Sequence, residues 1–164
     1  RIAFVNRTPS DPREPHYSRV DREAGYVSAM REAGLTPSVI TIPAAPDLYA
    51  DRLGHMLRSY REFLSSSYLP TAVLCESGGR VMLHAASLAG LKVPDDLSVM
   101  TFDTHASADL EVAVDRLLVR DRQMGRSAVQ ELCALLKDPT APRPPVTIPF
   151  EFHRVGTVGL GPHR

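Results

Sequence analysis

Polar or small side chains follow each of four short apolar segments, and their positions suggest a binding site. The segments end at Asn6-Arg7, Pro43-Ala44, Glu76-Ser77-Gly78 and Asp103-Thr104-His105. Because ligands of open parallel sheets bind beyond the carboxyl ends of the strands, we expect these residues to share one edge. Arg22 lies at the start of the first predicted helix on the same edge, where its planar guanidinium could clamp hydroxyls or a carboxylate. Asp103 could accept hydrogen bonds from sugar hydroxyls or ring nitrogens.

Each of these residues also has a purely structural interpretation. An arginine on a first helical turn is more often solvated surface than a ligand contact. Asp103 could cap the turn that follows its strand. The Ser77-Gly78-Gly79 segment could be a plain strand-to-helix turn, since it lacks the GxGxxG spacing and the Lys-Ser/Thr pair of phosphate-binding loops.

The sequence contains no recognised catalytic motif. The six histidines have no metal-ligand spacing, and neither GxSxG nor HExxH occurs. His105 lies near Asp103, but short polar loops often produce such a pair by chance. A phosphorylation receiver is disfavoured because Asn6 and Glu76 stand where it needs an acidic residue and an aspartate. We therefore expect no enzyme, no metal and no cofactor.

Short apolar runs alternate with stretches of helical period, which is typical of an α/β protein. Strands are predicted at residues 2–5, 38–42, 71–75 and 97–102, with weaker candidates at 116–120 and 146–152. Helices are predicted from Val20 to Gly34, after a cap at Asp47, from the 77–79 turn to Gly90, and at 122–137. Crossover helices between buried strands imply a mainly parallel sheet with helices on its faces.

The composition is that of an ordinary globular protein. Of 164 residues, 43% are hydrophobic, and 19 basic residues balance 19 acidic ones, so the basic excess typical of a DNA-binding surface is missing. No apolar run reaches the roughly 18 residues of a membrane span, and no signal peptide is recognised. Cys75 and Cys133 lie in apolar surroundings and are expected to be buried free thiols, so we expect a cytoplasmic protein.

Six motifs occur in order along nearly the whole chain. They are RIAFV at 1–5, DREAGYVSAMREAGL at 21–35, PTAVLC at 70–75, GLKVPDDLSVMTFD at 90–103, MGRSAVQELCALL at 124–136 and VTIPFEFHRVGTVG at 146–159. The central pair is similar to PTAVFC…GLRVPEDLSVVGFDD, a pattern of the lactose/galactose repressor (LacI/GalR) family of bacterial transcriptional regulators. The flanking motifs resemble further segments of the same family.

The resemblance implies a three-layer α/β/α fold with a mainly parallel sheet, the C-terminal subdomain of a periplasmic-binding-protein-like I domain. It implies a dimeric transcriptional repressor that senses a small molecule, most often a sugar. Arg22 matches the arginine of the family's R-x-x-GY motif, which grips the effector, and Asp103 matches the first aspartate of FDD. Ser18 and Ser77 are the nearest matches to further effector contacts.

The resemblance also divides the chain. Residues 1–112 correspond to the core of the C-terminal subdomain, about 113–140 to a segment that crosses back to the first subdomain, and 141–164 to a closing strand and tail. The family's helix-turn-helix, through which operator DNA would be bound, and most of the first subdomain are expected to lie outside this chain. The helix at 122–137 would then need another partner, such as a second copy of the chain.

Two departures from the family pattern concern the effector site. Glu76-Ser77-Gly78-Gly79 stands where the family usually has an Asn-Asp pair, and Thr104 replaces the second aspartate of FDD. An unusual effector, or weakened sensing, would follow. A sugar-binding protein of the periplasmic type is the alternative with the same fold, and the VPDDLSV and EFHR motifs favour the regulator over it.

Overall fold

A computed structural model describes residues 1–8, 17–43, 51–103 and 114–160, without the side chains of Arg52 and Asp103. The strands are β1 (Ile2–Arg7), β2 (Val39–Ile42), β3 (Ala72–Cys75), β4 (Ser98–Asp103), β5 (Asp115–Leu118) and β6 (Glu151–His153). The helices are α1 (Tyr17–Glu32), α2 (Arg52–Leu64), α3 (Gly79–Leu88) and α4 (Asp121–Lys137).

The strands form one sheet in the order β2-β1-β3-β4-β5-β6. The first five strands are parallel, and β6 runs antiparallel to β5. On one face, Phe4 of β1 packs with Tyr26 and Met30 of α1. On the other face, Tyr60 of α2 and Met82 of α3 join a larger core with the remaining strand side chains. The three-layer α/β/α prediction is confirmed.

The contact between α1 and the sheet combines apolar packing with hydrogen bonds. The Tyr26 ring stacks on Phe4, with centroids 5.4 Å apart. The Tyr26 hydroxyl donates to the Ile2 carbonyl (2.9 Å) and accepts from the Ser38 amide (2.8 Å). One side chain therefore joins the middle of α1 to the start of β1 and to the residue that precedes β2.

Glycine ends α1 as the sequence predicts. Gly34 has a φ of +69°, in the left-handed region that costs a side-chain-bearing residue energy. The Leu35 amide then donates to the Met30 carbonyl (2.8 Å), satisfying a carbonyl that the helix leaves open.

Three predicted boundaries were wrong. The cap of α2 is Asp51, whose side chain accepts from the Gly54 amide (3.1 Å), because the helix begins only at Arg52; Asp47 lies outside the described residues. The predicted strand at 146–152 shrinks to β6, since Pro149 has no amide hydrogen to contribute to a ladder. The predicted loop up to residue 19 also ends earlier, because α1 begins at Tyr17.

Helix α4 forms as predicted but covers no part of the core. Within its described range no residue is buried, and five large apolar side chains are exposed: Met124, Val129, Leu132, Leu135 and Leu136. Cys133 is therefore exposed, and its predicted burial was wrong, whereas Cys75 is buried; both are free thiols. No helix in the described ranges, α4 included, is long and apolar enough to cross a membrane.

Candidate ligand-binding site

The strand order reverses direction between β1 and β3. Strand β2 lies on one side of β1, while β3, β4 and β5 follow on the other. The chain leaves β1 for α1 on one face and leaves β3 for α3 on the opposite face. Such a switch point opens a crevice beyond the carboxyl ends of the two strands, and this is where open α/β sheets bind ligands. Arg7 ends β1 at this crevice, and Glu76 directly follows β3.

Glu76 lies between two guanidinium groups at the switch point. Its Oε2 is 3.6 Å from Arg7 Nη2, and its Oε1 is 3.6 Å from Arg22 Nη1. The side chains of Glu76 and Arg22 are only 16% and 18% exposed, so solvent screens this attraction less than at an open surface. The separations exceed the roughly 2.8 Å of a direct charge-assisted hydrogen bond. The pairs are thus electrostatic contacts, and among the described residues they leave N–H donors of both arginines without an acceptor.

Phe102 fixes Arg22 from a second direction. The guanidinium carbon of Arg22 lies 4.7 Å from the centre of the Phe102 ring, a cation–π contact. Phe102 is the penultimate residue of β4 and packs in the apolar cluster of the α1 face. The arginine is therefore held over the carboxyl ends of β3 and β4, with its planar donor group directed by a ring and a carboxylate.

Polar contacts tie the first turns of α1 to the end of β1. The buried Asn6 donates from Nδ2 to Glu23 Oε2 (2.9 Å), and Arg19 donates from Nη1 to the Arg7 carbonyl (2.7 Å). These bonds position Arg22, which lies between Arg19 and the sheet-facing Tyr26 on the same helix. The sequence predicted that these residues lie at the carboxyl edge of the sheet. It did not predict the individual pairings, because each pairing joins residues that are well separated along the chain.

Ser77 lies next to Glu76 and lines a cavity of about 440 Å³. The lining residues are Leu53, Ser77, Gly78, Gly79, Arg80, Val81, Thr101, Phe102, Val114 and Arg116. The Ser77 carbonyl accepts from the Tyr60 hydroxyl (3.0 Å), while its Oγ is buried and has no hydrogen-bond partner among the described residues. Gly78 makes the turn possible with a φ of +75°.

The buried groups beneath the crevice are not suited to nucleophilic chemistry. Burial is the main cause that raises the pKa of Cys75 to about 12, so its thiol stays protonated at neutral pH. Burial also raises the pKa of Tyr60 well above its usual range. Over the described ranges, no group of three or more His, Cys, Asp or Glu residues could hold a metal ion.

The predicted site residues have different placements. Arg22 and Ser77 lie at the switch point, and Ser18 lies one turn before Arg22 on α1. Asp103 ends β4 on the same edge, but its side chain lies outside the described part, as do Ala44, Thr104 and His105. That Arg22, Asp103, Ser18 and Ser77 contact an effector stays a prediction.

The sequence reasoning missed three contacts of the site. Arg7 and Glu76 were recognised only as residues at strand ends, and their position directly after β1 and β3 was the available signal. Phe102 gave no signal, because an apolar residue in a strand is expected to be core.

Comparison with known proteins identifies the fold as that of a ligand-binding domain. The family model described as a periplasmic binding protein-like domain matches residues 1–157. The chain belongs to this family, and the resemblance to the effector-binding domain of LacI-type regulators is confirmed.

Three relatives of this chain are described as transcriptional regulators. The HTH-type transcriptional repressor PurR of Escherichia coli O1:K1 is 36% identical over 94 residues, covering 53% of this chain and 25% of PurR. A LacI family regulator of Bifidobacterium animalis subsp. lactis has a TM-score of 0.72 at 21% identity, over 98% of this chain and 55% of that one. A LacI family regulator of Arthrobacter sp. FB24, solved with lactose, has a TM-score of 0.69 at 21% identity, over 96% and 57%. This chain thus spans about half of the solved relatives and a quarter of PurR.

Proposed function

We propose that this chain is the effector-sensing part of a LacI-type transcriptional repressor. It binds a small molecule of the sugar class and controls DNA binding by a helix-turn-helix domain elsewhere in the intact protein. The observation that carries the proposal is the position of Arg22. It lies at the switch point of the sheet, held by Glu76 and by the Phe102 ring, and within the described ranges these contacts leave some of its N–H donors for a ligand.

The proposed site residues have distinct tasks. Arg22 donates to ligand oxygens, and Asp103 accepts from ligand hydroxyls at the end of β4. Ser18 and Ser77 add polar contacts from α1 and from the turn after β3. A ligand that binds one arrangement of the two halves of the cleft more tightly than the other shifts the equilibrium between them. That shift changes the spacing of the DNA-binding domains in a homodimer.

The proposed division of the chain explains the exposed surface of α4. Residues 1–112 form the core of one subdomain, about 113–140 cross back toward the other, and 141–164 close the fold. Support comes from α4, whose apolar residues are exposed although they recur at helical spacing. In the intact protein the other subdomain covers them.

The test uses the intact protein with Arg22→Ala and Asp103→Ala. We expect each variant to bind operator DNA normally but to lose the inducer response. Loss of one hydrogen bond to a charged group costs about 2 kcal/mol, roughly 30-fold in ligand affinity. Ligands are found by thermal shift against sugars and nucleosides, and affinity is measured by calorimetry. The exposed Arg31→Ala on the same helix serves as the control.

The outcomes separate the possible roles. Wild-type ligand affinity in either variant refutes the assignment of that residue. A protein that binds a sugar but no DNA supports the sugar-binding protein instead.

A further inference from the structure

The ring of Phe102 has a contact on each of two sides. The guanidinium carbon of Arg22 lies 4.7 Å from its centre. The Phe150 ring meets it edge-to-face, with centroids 5.9 Å apart and an angle of 64° between the two planes. An edge-to-face aromatic pair favours particular orientations of both rings, so Phe150 helps to fix the ring on which Arg22 rests.

Phe150 belongs to the returning segment, residues 138–150, which leads from α4 back to the sheet. Arg143 in this segment donates from Nη1 to Glu131 Oε2 on α4 (3.4 Å). The returning segment is therefore attached to α4 along part of its length. Phe150 is its last residue and directly precedes Glu151, the first residue of β6.

The two ends of the returning segment differ in how they are held. Beyond β6, the Asp115 carboxylate accepts from the amides of Gly156 (2.9 Å) and Val158 (3.0 Å), which holds the chain on the sheet. At the other end, α4 has no buried residue within its described range. Movement of α4 relative to the sheet is then taken up close to its two connections with the strands, and Phe150 lies at one of them.

We propose that Phe150 is a positioning residue for the candidate ligand site, because it holds the Phe102 ring against Arg22 and so links the returning segment to the direction of the Arg22 donors. This inference rests on the proposed function, since it names a regulation of the same site. A ligand that binds one orientation of Arg22 favours one placement of the returning segment. By linkage, the placement of the segment changes the affinity for that ligand by the same factor.

The experiment follows the reactivity of Arg22 in the intact protein and needs no bound ligand. The reagent is p-hydroxyphenylglyoxal, which modifies guanidinium groups, and mass spectrometry measures the rate at each arginine. The side chain of Arg22 is only 18% exposed, so loosening of the Phe102 ring should raise its rate. Arg19 lies on the same helix and donates to the Arg7 carbonyl, and its rate is the internal reference for partial unfolding.

Two substitutions at Phe150 separate the ring from its apolar bulk. Phe150→Leu keeps an apolar side chain without the ring, and we expect it to raise the rate at Arg22 relative to Arg19 by about three-fold, the scale of one lost aromatic contact. Phe150→Tyr keeps the ring and should leave the wild-type rate. Phe152→Leu is the matched control, because Phe152 is also 45% exposed and its ring contacts Arg154.

A double-mutant cycle tests whether the effect passes through Phe102. Phe102→Leu alone should raise the rate at Arg22, and Phe150→Leu added to it should raise the rate no further. Fully additive effects overturn the inference, as does an unchanged rate in Phe150→Leu. It is also overturned if Phe150→Tyr or Phe152→Leu raises the rate as much as Phe150→Leu does.

Failure of the proposed function gives a different result. If Arg22→Ala loses the inducer response while Phe150→Leu leaves the rate at Arg22 unchanged, the regulator role stands and the inference fails. If Phe150→Leu raises the rate but Arg22→Ala keeps the inducer response, the link between Phe150 and Arg22 stands and the role of Arg22 in the regulator fails.

Discussion

At the scale of single residues, Asp115 holds the C-terminal segment on the sheet. Its buried carboxylate accepts from the backbone amides of Val155, Gly156 (2.9 Å) and Val158 (3.0 Å). Burial by itself raises the pKa of Asp115, but the amide donors outweigh it and hold the pKa below its usual value. This stabilisation is therefore complete above the unfolded pKa of about 3.9 and is lost as pH falls through the lower folded value.

We expect Asp115→Asn to lower the free energy of unfolding by about 2 kcal/mol at pH 7, because the amide NH₂ would face an N–H donor. Urea unfolding between pH 7 and pH 3 measures this. The gap between wild type and variant should narrow below about pH 4, where the wild type loses its charge. Asp95→Asn, at an exposed turn, should have little effect. A gap that stays constant with pH would contradict the assigned role.

The two cysteines should differ in reactivity because one is buried and the other is exposed. Cys133 is exposed on α4, whereas Cys75 is buried and has a pKa raised to about 12. We expect one thiol equivalent to react rapidly with a disulfide reagent in the native chain, and the second only after unfolding. Cys133→Ser should abolish the rapid phase. A rapid phase that survives in this variant would show that Cys75 is accessible.

At the scale of elements, the start of α3 is packed closely on β4. A Cβ added at Gly79 would lie 2.7 Å from Thr101 Cβ, closer than real contacts allow. We expect Gly79→Ala to destabilise the chain by about 1–3 kcal/mol through overpacking. Gly125→Ala on α4 is the matched control, since its added Cβ would meet nothing within 4 Å. That change should stabilise by up to about 1 kcal/mol, because alanine favours helix.

The two glycine variants are compared by urea unfolding, with the slope checked for two-state behaviour. Equal effects of the same sign would mean that helix propensity, and not the contact with Thr101, governs both positions.

At the scale of the whole molecule, the apolar surface of α4 determines how the isolated chain behaves. Val129, Leu132 and Leu136 lie on one side of the helix and are 60%, 55% and 76% exposed. We expect the isolated chain to self-associate, so that light scattering gives a mass above 18.0 kDa that rises with concentration. Leu132→Lys should lower that mass without changing stability, because α4 has no buried residue in its described range.

Gln130→Lys adds the same charge at an exposed polar position of α4 and is the control for Leu132→Lys. A wild-type chain that stays at 18.0 kDa at every concentration would show that this surface does not self-associate. In that case we would still expect the other subdomain to cover the apolar side of α4 in the intact protein.

Local patterns in the sequence determine most of the fold. Continuous apolar runs become the parallel strands, Gly34 ends α1, and the order of elements places Arg22 and Ser77 at one edge. These features depend on side-chain periodicity and backbone preference over a few residues, which a sequence displays directly. The bounds of β6 and the start of α2 differ from the prediction because Pro149 and Asp51 act at single positions.

The tertiary structure alone decides what surrounds Arg22. Glu76 reaches both Arg7 and Arg22, and Phe102 lies under the guanidinium, because β1, β3 and β4 are neighbours in the sheet although they are far apart in the chain. The exposure of α4 is likewise invisible in its periodicity, which specifies an apolar side of the helix but not what covers it. Charge pairing and burial depend on distances in space, and a sequence pattern specifies only distances along the chain.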